Sequence, residues 1–177
     1  MQPQLEEITS YLAKVRADLA KIIAETPEAK FYHKPQDGGW TGAGVIQHLG
    51  KVEGSSAKLL EGLFAKAMAD GMGLETKTES WLRSLDQHRA LDRTRIINAP
   101  ERLFPEPAAD LAASWASLQA VRERLLRALA TVDGRDLTAV NAPHPIFGAL
   151  NGYQWVLMVG QHEERHLTQL RETLSEA

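Results

Sequence analysis

Asn151 to Leu174 reads NGYQWVLMVGQHEERHLTQLRETL, a single long helix by its pattern. Asn151 is a good N-cap, and Gln154 three residues on completes an Asn-x-x-Gln arrangement like a capping box. From there Trp155, Val159, His162, His166 and Leu170 recur in steps of three and four, which stacks them on one face. The apolar members make that face the buried one, so two imidazoles one turn apart point inward. A buried imidazole without a partner costs roughly 1–3 kcal/mol. A metal ion shared between rings is the most economical partner, and a third histidine, His48, interrupts the apolar stripe of another helix in the same way.

Three further amphipathic segments precede this one. Helix one spans about Pro3 to Thr26, with Leu5, Ile8, Leu12, Val15, Leu19 and Ile22 as its stripe and Pro27 as its stop. Helix two opens on Thr41 as N-cap. Val45, His48, Val52 and Leu59 share one of its faces, flanked by Leu49, Leu60 and Leu63. Gly42, Gly44, Gly50 and Gly54 lower its intrinsic propensity by roughly 1 kcal/mol each, which implies close approach of a neighbour. Helix three runs from about Pro107 to Val132 on Leu111, Trp115, Leu118, Leu125 and Leu129, ended by Gly134. Residues 71–106 are irregular apart from a short helix expected over Ser80–Leu91, and 134–150 read as a loop. No period-two strand pattern stands out, and no internal repeat appears. Four long helices in 177 residues predict an all-α, four-helix bundle spanning 1–177 as one domain. The long second connection permits a crossover, with helices two and three parallel.

Composition narrows the chemistry. Hydrophobic residues make up 44% and charged residues 24%, the net charge is −3, and acids and bases are interspersed. Without a basic patch, nucleic acid is not an expected partner, and neither is a membrane surface. No apolar run reaches the roughly 20 residues that span a bilayer, and residues 1–26 lack a signal-peptide core, so a cytoplasmic location is expected. The chain has no cysteine. Any metal site must therefore use imidazole and oxygen, and a cysteine nucleophile is excluded.

His48 lies seven residues into helix two, roughly 10 Å from its start; His162 and His166 lie roughly 16 and 22 Å along helix four. Interior positions on rigid helices are where bundle metal sites are built. Three imidazoles leave coordination positions open, in the manner of a catalytic site rather than a closed structural one. The competing reading makes these histidines hydrogen-bonded core residues. His33 and His88 read as surface residues, whereas His144, ahead of helix four, is a candidate for the mouth of a cleft. Trp40, Trp115, Trp155 and Phe147 read as core aromatics, with Trp40 and Trp155 beside His144 as candidate substrate-pocket walls. The run His162-Glu163-Glu164-Arg165-His166 invites comparison with the His-Glu-x-x-His zinc proteases. Their follow-on ligand is absent, so Glu163 or Glu164 is expected to be a solvated helix residue or a partner to an imidazole N–H. No serine sits in a nucleophile elbow, and no glycine-rich phosphate loop is present.

The final 35 residues carry His144-Pro145-Ile146-Phe147-Gly148-x-Leu150, then Trp155, then His162-x-x-Arg165-His166-Leu167-x-Gln169. Gly39-Trp40-Thr41 and Gln47-His48-Leu49 stand at the opening of helix two. On these motifs the chain resembles the DinB-like (YfiT-like) superfamily of three-histidine metalloenzymes. The resemblance implies a four-helix bundle with one crossover, a homodimer, and a divalent metal on His48, His162 and His166. It also implies chemistry of the thiol-dependent transferase and isomerase type, using low-molecular-weight thiols such as bacillithiol or mycothiol. An ion with an open position activates a bound thiol or water. The first expectation is therefore transfer of a small thiol to an electrophilic small molecule. Metal-dependent hydrolysis comes second, and a non-catalytic metal-binding stress or interaction protein is the alternative of another class. Imidazole ligands admit zinc, nickel, copper or iron.

Overall fold

The computed structural model describes residues 1–94 and 97–177; Arg95 and Ile96, within the stretch read as irregular, lie outside the described residues. Four long helices dominate: α1 (Pro3–Glu25), α2 (Gly42–Ala69), α3 (Leu111–Ala130) and α4 (Gly152–Ser175). They form the four-helix bundle that the stripes predict. Thr41 caps α2 by accepting from the Gly44 amide at 3.1 Å, and Asn151 and Gln154 close the capping box of α4 at 3.0 and 3.1 Å.

Contacts between helices fix their directions. On α2 and α3, Gly50 faces Leu118 and Gly54 faces Val121, so the two run parallel. Arg122 Nη1 donates to the Leu12 carbonyl at 3.1 Å and Arg16 Nη1 to that of Leu118 at 3.2 Å, so α1 and α3 are antiparallel. A Cβ on Gly42 would lie 3.2 Å from Leu170, whereas His48 reaches His162, so α2 and α4 are also antiparallel. Parallel α2 and α3 require the connection between them to climb the length of the bundle. It starts beside Gly134, where Glu75 donates its amide to the Gly134 carbonyl and Asp136 donates to that of Gly73, both at 3.0 Å. It ends on α2, where Gln47 Oε1 accepts from the Glu106 amide at 2.6 Å.

The structure departs from the sequence reading in several places. Helix three begins at Leu111 rather than Pro107, because the Asp110 carboxylate takes the Ala113 amide at 2.7 Å and caps it there. The helix expected over Ser80–Leu91 is reduced to turns and a 3₁₀ turn at Asp86–His88. Residues 134–150 contain a hairpin, β1 (Asn141–His144) against β2 (Gly148–Asn151), with Ala142 opposite Leu150. These strands escape a period-two search because each is four residues long and buries one apolar residue, Ala142 or Leu150. Leu59 is 38% exposed; the buried face of α2 instead carries Val45, Ile46, Leu49, Ala57, Leu60 and Phe64.

Two apolar clusters fill the bundle, and a layer of charge lies between them. Each helix gives one residue: Arg16 from α1, Glu53 from α2, Arg122 from α3 and Glu163 from α4. Arg16 Nε meets Glu163 Oε1 at 2.6 Å and its Nη2 meets Glu53 Oε2 at 2.8 Å. Arg122 Nη2 meets Glu163 Oε2 at 2.6 Å, and its Nε pairs with Glu53 Oε1. Two guanidinia balance two carboxylates, and spare N–H groups reach backbone carbonyls, so the desolvated charges are compensated. Burial opposes the charge on Arg122, but Glu53 and Glu163 more than reverse this and raise its pKa. Glu163 is thus neither solvated nor bonded to an imidazole. Among the described residues no helix is long and apolar enough to cross a membrane.

Candidate metal centre

The caps and the antiparallel register set the level of the histidines. Gly42 packs against Leu170, so six residues further along α2 should match six residues back along α4. That level falls midway between His162 and His166, and there the three rings meet. His48 Nε2 lies 3.3 Å from His162 Nε2, and His166 Nε2 lies 3.1 Å from the same atom. His48 is buried and the other two are half-buried.

The remaining ring nitrogens determine what the cluster can bind. Nδ1 of His48 lies 2.8 Å from the Leu103 carbonyl oxygen, and Nδ1 of His166 lies 2.7 Å from Gln169 Oε1. Both partners accept, so both Nδ1 atoms carry the proton and both Nε2 atoms present bare lone pairs. Those lone pairs converge on His162 Nε2, whose single proton could serve only one of them well. Three imidazole nitrogens around a divalent ion at about 2.0–2.1 Å would lie about 2.8–3.4 Å apart for octahedral to tetrahedral angles. The two observed separations fall within this range, so the donor set fits an ion. Burial, more than the neighbouring positive groups, holds the protonation of all three rings below the ordinary imidazole range, with His166 lowered to about 3. They are neutral at pH 7, as ligands must be.

A cavity of about 430 Å³ opens onto this cluster. Trp40 forms one wall, its ring 4.6 Å from that of His48 and 6.4 Å from that of His166. His144 forms another, brought back over α4 by the hairpin and stacked on Phe147 at 4.7 Å. Its Nδ1 accepts from the amides of Ile146 and Phe147 at 3.2 and 3.3 Å, so the ring proton sits on Nε2. Burial first, and then His88, lower its pKa to about 4, which makes His144 a neutral hydrogen-bond donor. Trp155 does not line the cavity. It lies in the core, donates its indole N–H to the Ala142 carbonyl at 3.1 Å, and supports His144 from behind at 5.1 Å. His33 is exposed, and His88 is half-buried against Phe147.

Sequence reasoning missed the opposite wall. It comes from the motif-free connector, through Arg93, Ile97, Pro100, Arg102 and Leu103. Only the density of prolines after Ile97 hinted at a fixed, non-helical path there. The connector is held on both sides of the site. Arg165 Nη1 takes the Ala90 and Asp92 carbonyls at 3.2 and 2.6 Å, and Lys51 Nζ takes the Phe104 carbonyl at 2.6 Å.

A crossover bundle with three imidazoles converging at an open cavity defines a class, the helical proteins with a candidate three-histidine metal centre. The chain belongs to the DinB superfamily, whose family model matches residues 11–170. It is 30% identical over 151 residues to the uncharacterized protein YuaE of Bacillus subtilis (strain 168), covering 82% of this chain and 83% of that protein. The fold is similar to the crystal structure of TT2238, a four-helix bundle protein. The TM-score there is 0.64 at 24% identity, over 94% of this chain and 98% of the other.

Proposed function

We propose that this chain is a divalent-metal-dependent enzyme that activates a low-molecular-weight thiol for transfer to an electrophilic small molecule, with the ion held by His48, His162 and His166. The observation that carries the proposal is the convergence of three Nε2 atoms while the Nδ1 protons of His48 and His166 are committed elsewhere. A divalent ion with open positions supplies acidity to a bound thiol or water. The chain's own residues do the rest. Leu103 and Gln169 fix the ring orientations, as outer partners of ligating histidines do. Trp40 and Phe147 keep water from the reacting face, and His144 offers an N–H toward the leaving or developing charge.

The lining favours a thiol over water as the nucleophile. No Asp or Glu lines the cavity among the described residues, and the Nδ1 of His144 is occupied by two amides. Hydrolysis would therefore depend on the ion alone to ionise the attacking water, with no side-chain base beside it. A thiol, with an ordinary pKa of about 8.5, needs far less help. Zinc, nickel and iron all suit the ligands, and the assembly is proposed to be a homodimer. The test is thiol consumption by metal-loaded protein, using several small thiols and a reactive electrophile such as 1-chloro-2,4-dinitrobenzene. Turnover that His162→Ala abolishes supports the proposal. Ester hydrolysis without thiol consumption would replace it with the hydrolase, and no turnover of either kind would favour the non-catalytic reading.

A further inference from the structure

The charged side chains at the cavity are of one sign. Arg93, Arg102 and Arg165 line it, and no carboxylate does among the described residues. The three candidate ligands are neutral, so a divalent ion there would keep its full charge and add to that of the guanidinia. The rest of the lining is mainly apolar, including Trp40, Phe147, Ile146, Met158 and Val52, with the His144 ring and the Gln169 amide as its polar members beside the candidate ligands.

The three arginines differ in their engagements. Arg165 is tied to the connector's carbonyls. Arg93 pairs with Glu172 at 2.7 Å on the outer side. The guanidinium of Arg102 has no hydrogen-bond or ion-pair partner among the described residues, and it stands one residue before the carbonyl that holds His48. An exposed, unpaired guanidinium at the edge of a mainly apolar slot suits a flat oxyanion presented by a hydrophobic body.

From this we infer that the molecule occupying the cavity is an amphipathic anion, a carboxylate on an apolar or aromatic body, with Arg102 as its principal anchor and Arg93 beside it. This rests on the reading of the cavity as the reactant site, and it narrows the substrate class to acids. Neutral apolar compounds of the same shape would fill the walls but leave the rim charge unanswered.

The test compares 4-phenylbutyrate with its neutral isostere 4-phenylbutyramide, by ligand-observed NMR and calorimetry, on chelator-treated and zinc-loaded protein. In chelator-treated protein no ion can bind the carboxylate, so the share of the preference that the arginine variants remove belongs to the guanidinia, and any share that survives them belongs to the His144 N–H. The expected result is binding of the acid about tenfold or more tighter than the amide. Arg102→Gln should weaken the acid about fivefold and leave the amide unchanged. Arg93→Gln/Arg102→Gln should erase the preference, and Arg102→Lys should keep part of it. Equal affinities in chelator-treated protein, an unaltered preference in the double variant, or no binding of either compound at millimolar concentration would each overturn the inference. Failure of the metal proposal would register separately, as absence of zinc uptake in the same samples.

Discussion

Glu163→Gln removes one of four charges from the layer between the two apolar clusters and changes almost no volume. Glu163 accepts from Arg16 at 2.6 and 3.2 Å and from Arg122 at 2.6 Å, and its side chain is only 2% exposed. The substitution leaves two guanidinia facing one carboxylate in a desolvated layer, a net buried positive charge. Breaking one partner of such a buried arrangement costs about 3–5 kcal/mol, a large part of the about 5–15 kcal/mol that holds a domain folded. For a chain of this size that corresponds to a fall in Tm of roughly 6–20 °C, or about 2 M in the urea midpoint if m is near 2 kcal/mol/M. Urea titration followed by circular dichroism, on protein kept in chelator, measures the loss. Adding Arg16→Met to Glu163→Gln restores charge balance, so the double variant should lose clearly less than the sum of the singles. A loss under about 1 kcal/mol for Glu163→Gln, or strict additivity in the double variant, would refute the layer as a compensated ionic unit.

Acid should destabilise the metal-free protein before it protonates the carboxylates. Burial lowers the pKa of His48 and His162, and brings His144 to about 4 and His166 to about 3. The unfolded chain therefore binds protons first as pH falls below about 6.5. Stability should be level above that pH and decline between about 6.5 and 4; urea midpoints from pH 8 to 4 check this, and a flat profile would contradict it. Trp40, 4.6 Å from the His48 ring, should report ligand occupancy. Nickel or cobalt should quench part of the tryptophan fluorescence of the wild-type protein, and Trp40→Phe should lose most of that response while still taking up metal.

Much of the bundle was legible because its signals are local and repeated. Leu5, Ile8, Leu12, Val15 and Leu19 announce the buried face of α1 without any tertiary information, and Thr41 and Asn151 mark helix starts by side-chain chemistry alone. The histidines were legible for the same reason, since a polar ring on an apolar stripe conflicts with its surroundings unless something answers it. What stayed hidden depends on partners distant in sequence. Glu163 looks like one more surface acid until Arg16 and Arg122 arrive from two other helices. Trp155 shares the stripe of His162, yet it lies seven residues, about two turns, toward the N-terminus, where the hairpin covers it. The connector's role follows from single carbonyls, at Ala90, Asp92 and Leu103, that no side-chain pattern encodes.

If imidazoles from α2 and α4 hold one cation, the ion can be counted. Elemental analysis of untagged protein, after exposure to zinc and removal of loosely bound ions, counts it most directly, beside His162→Ala treated identically. About one divalent ion per chain is expected in the wild-type protein and almost none in the variant. Equal metal content in the two, or none in either, would contradict a shared cation.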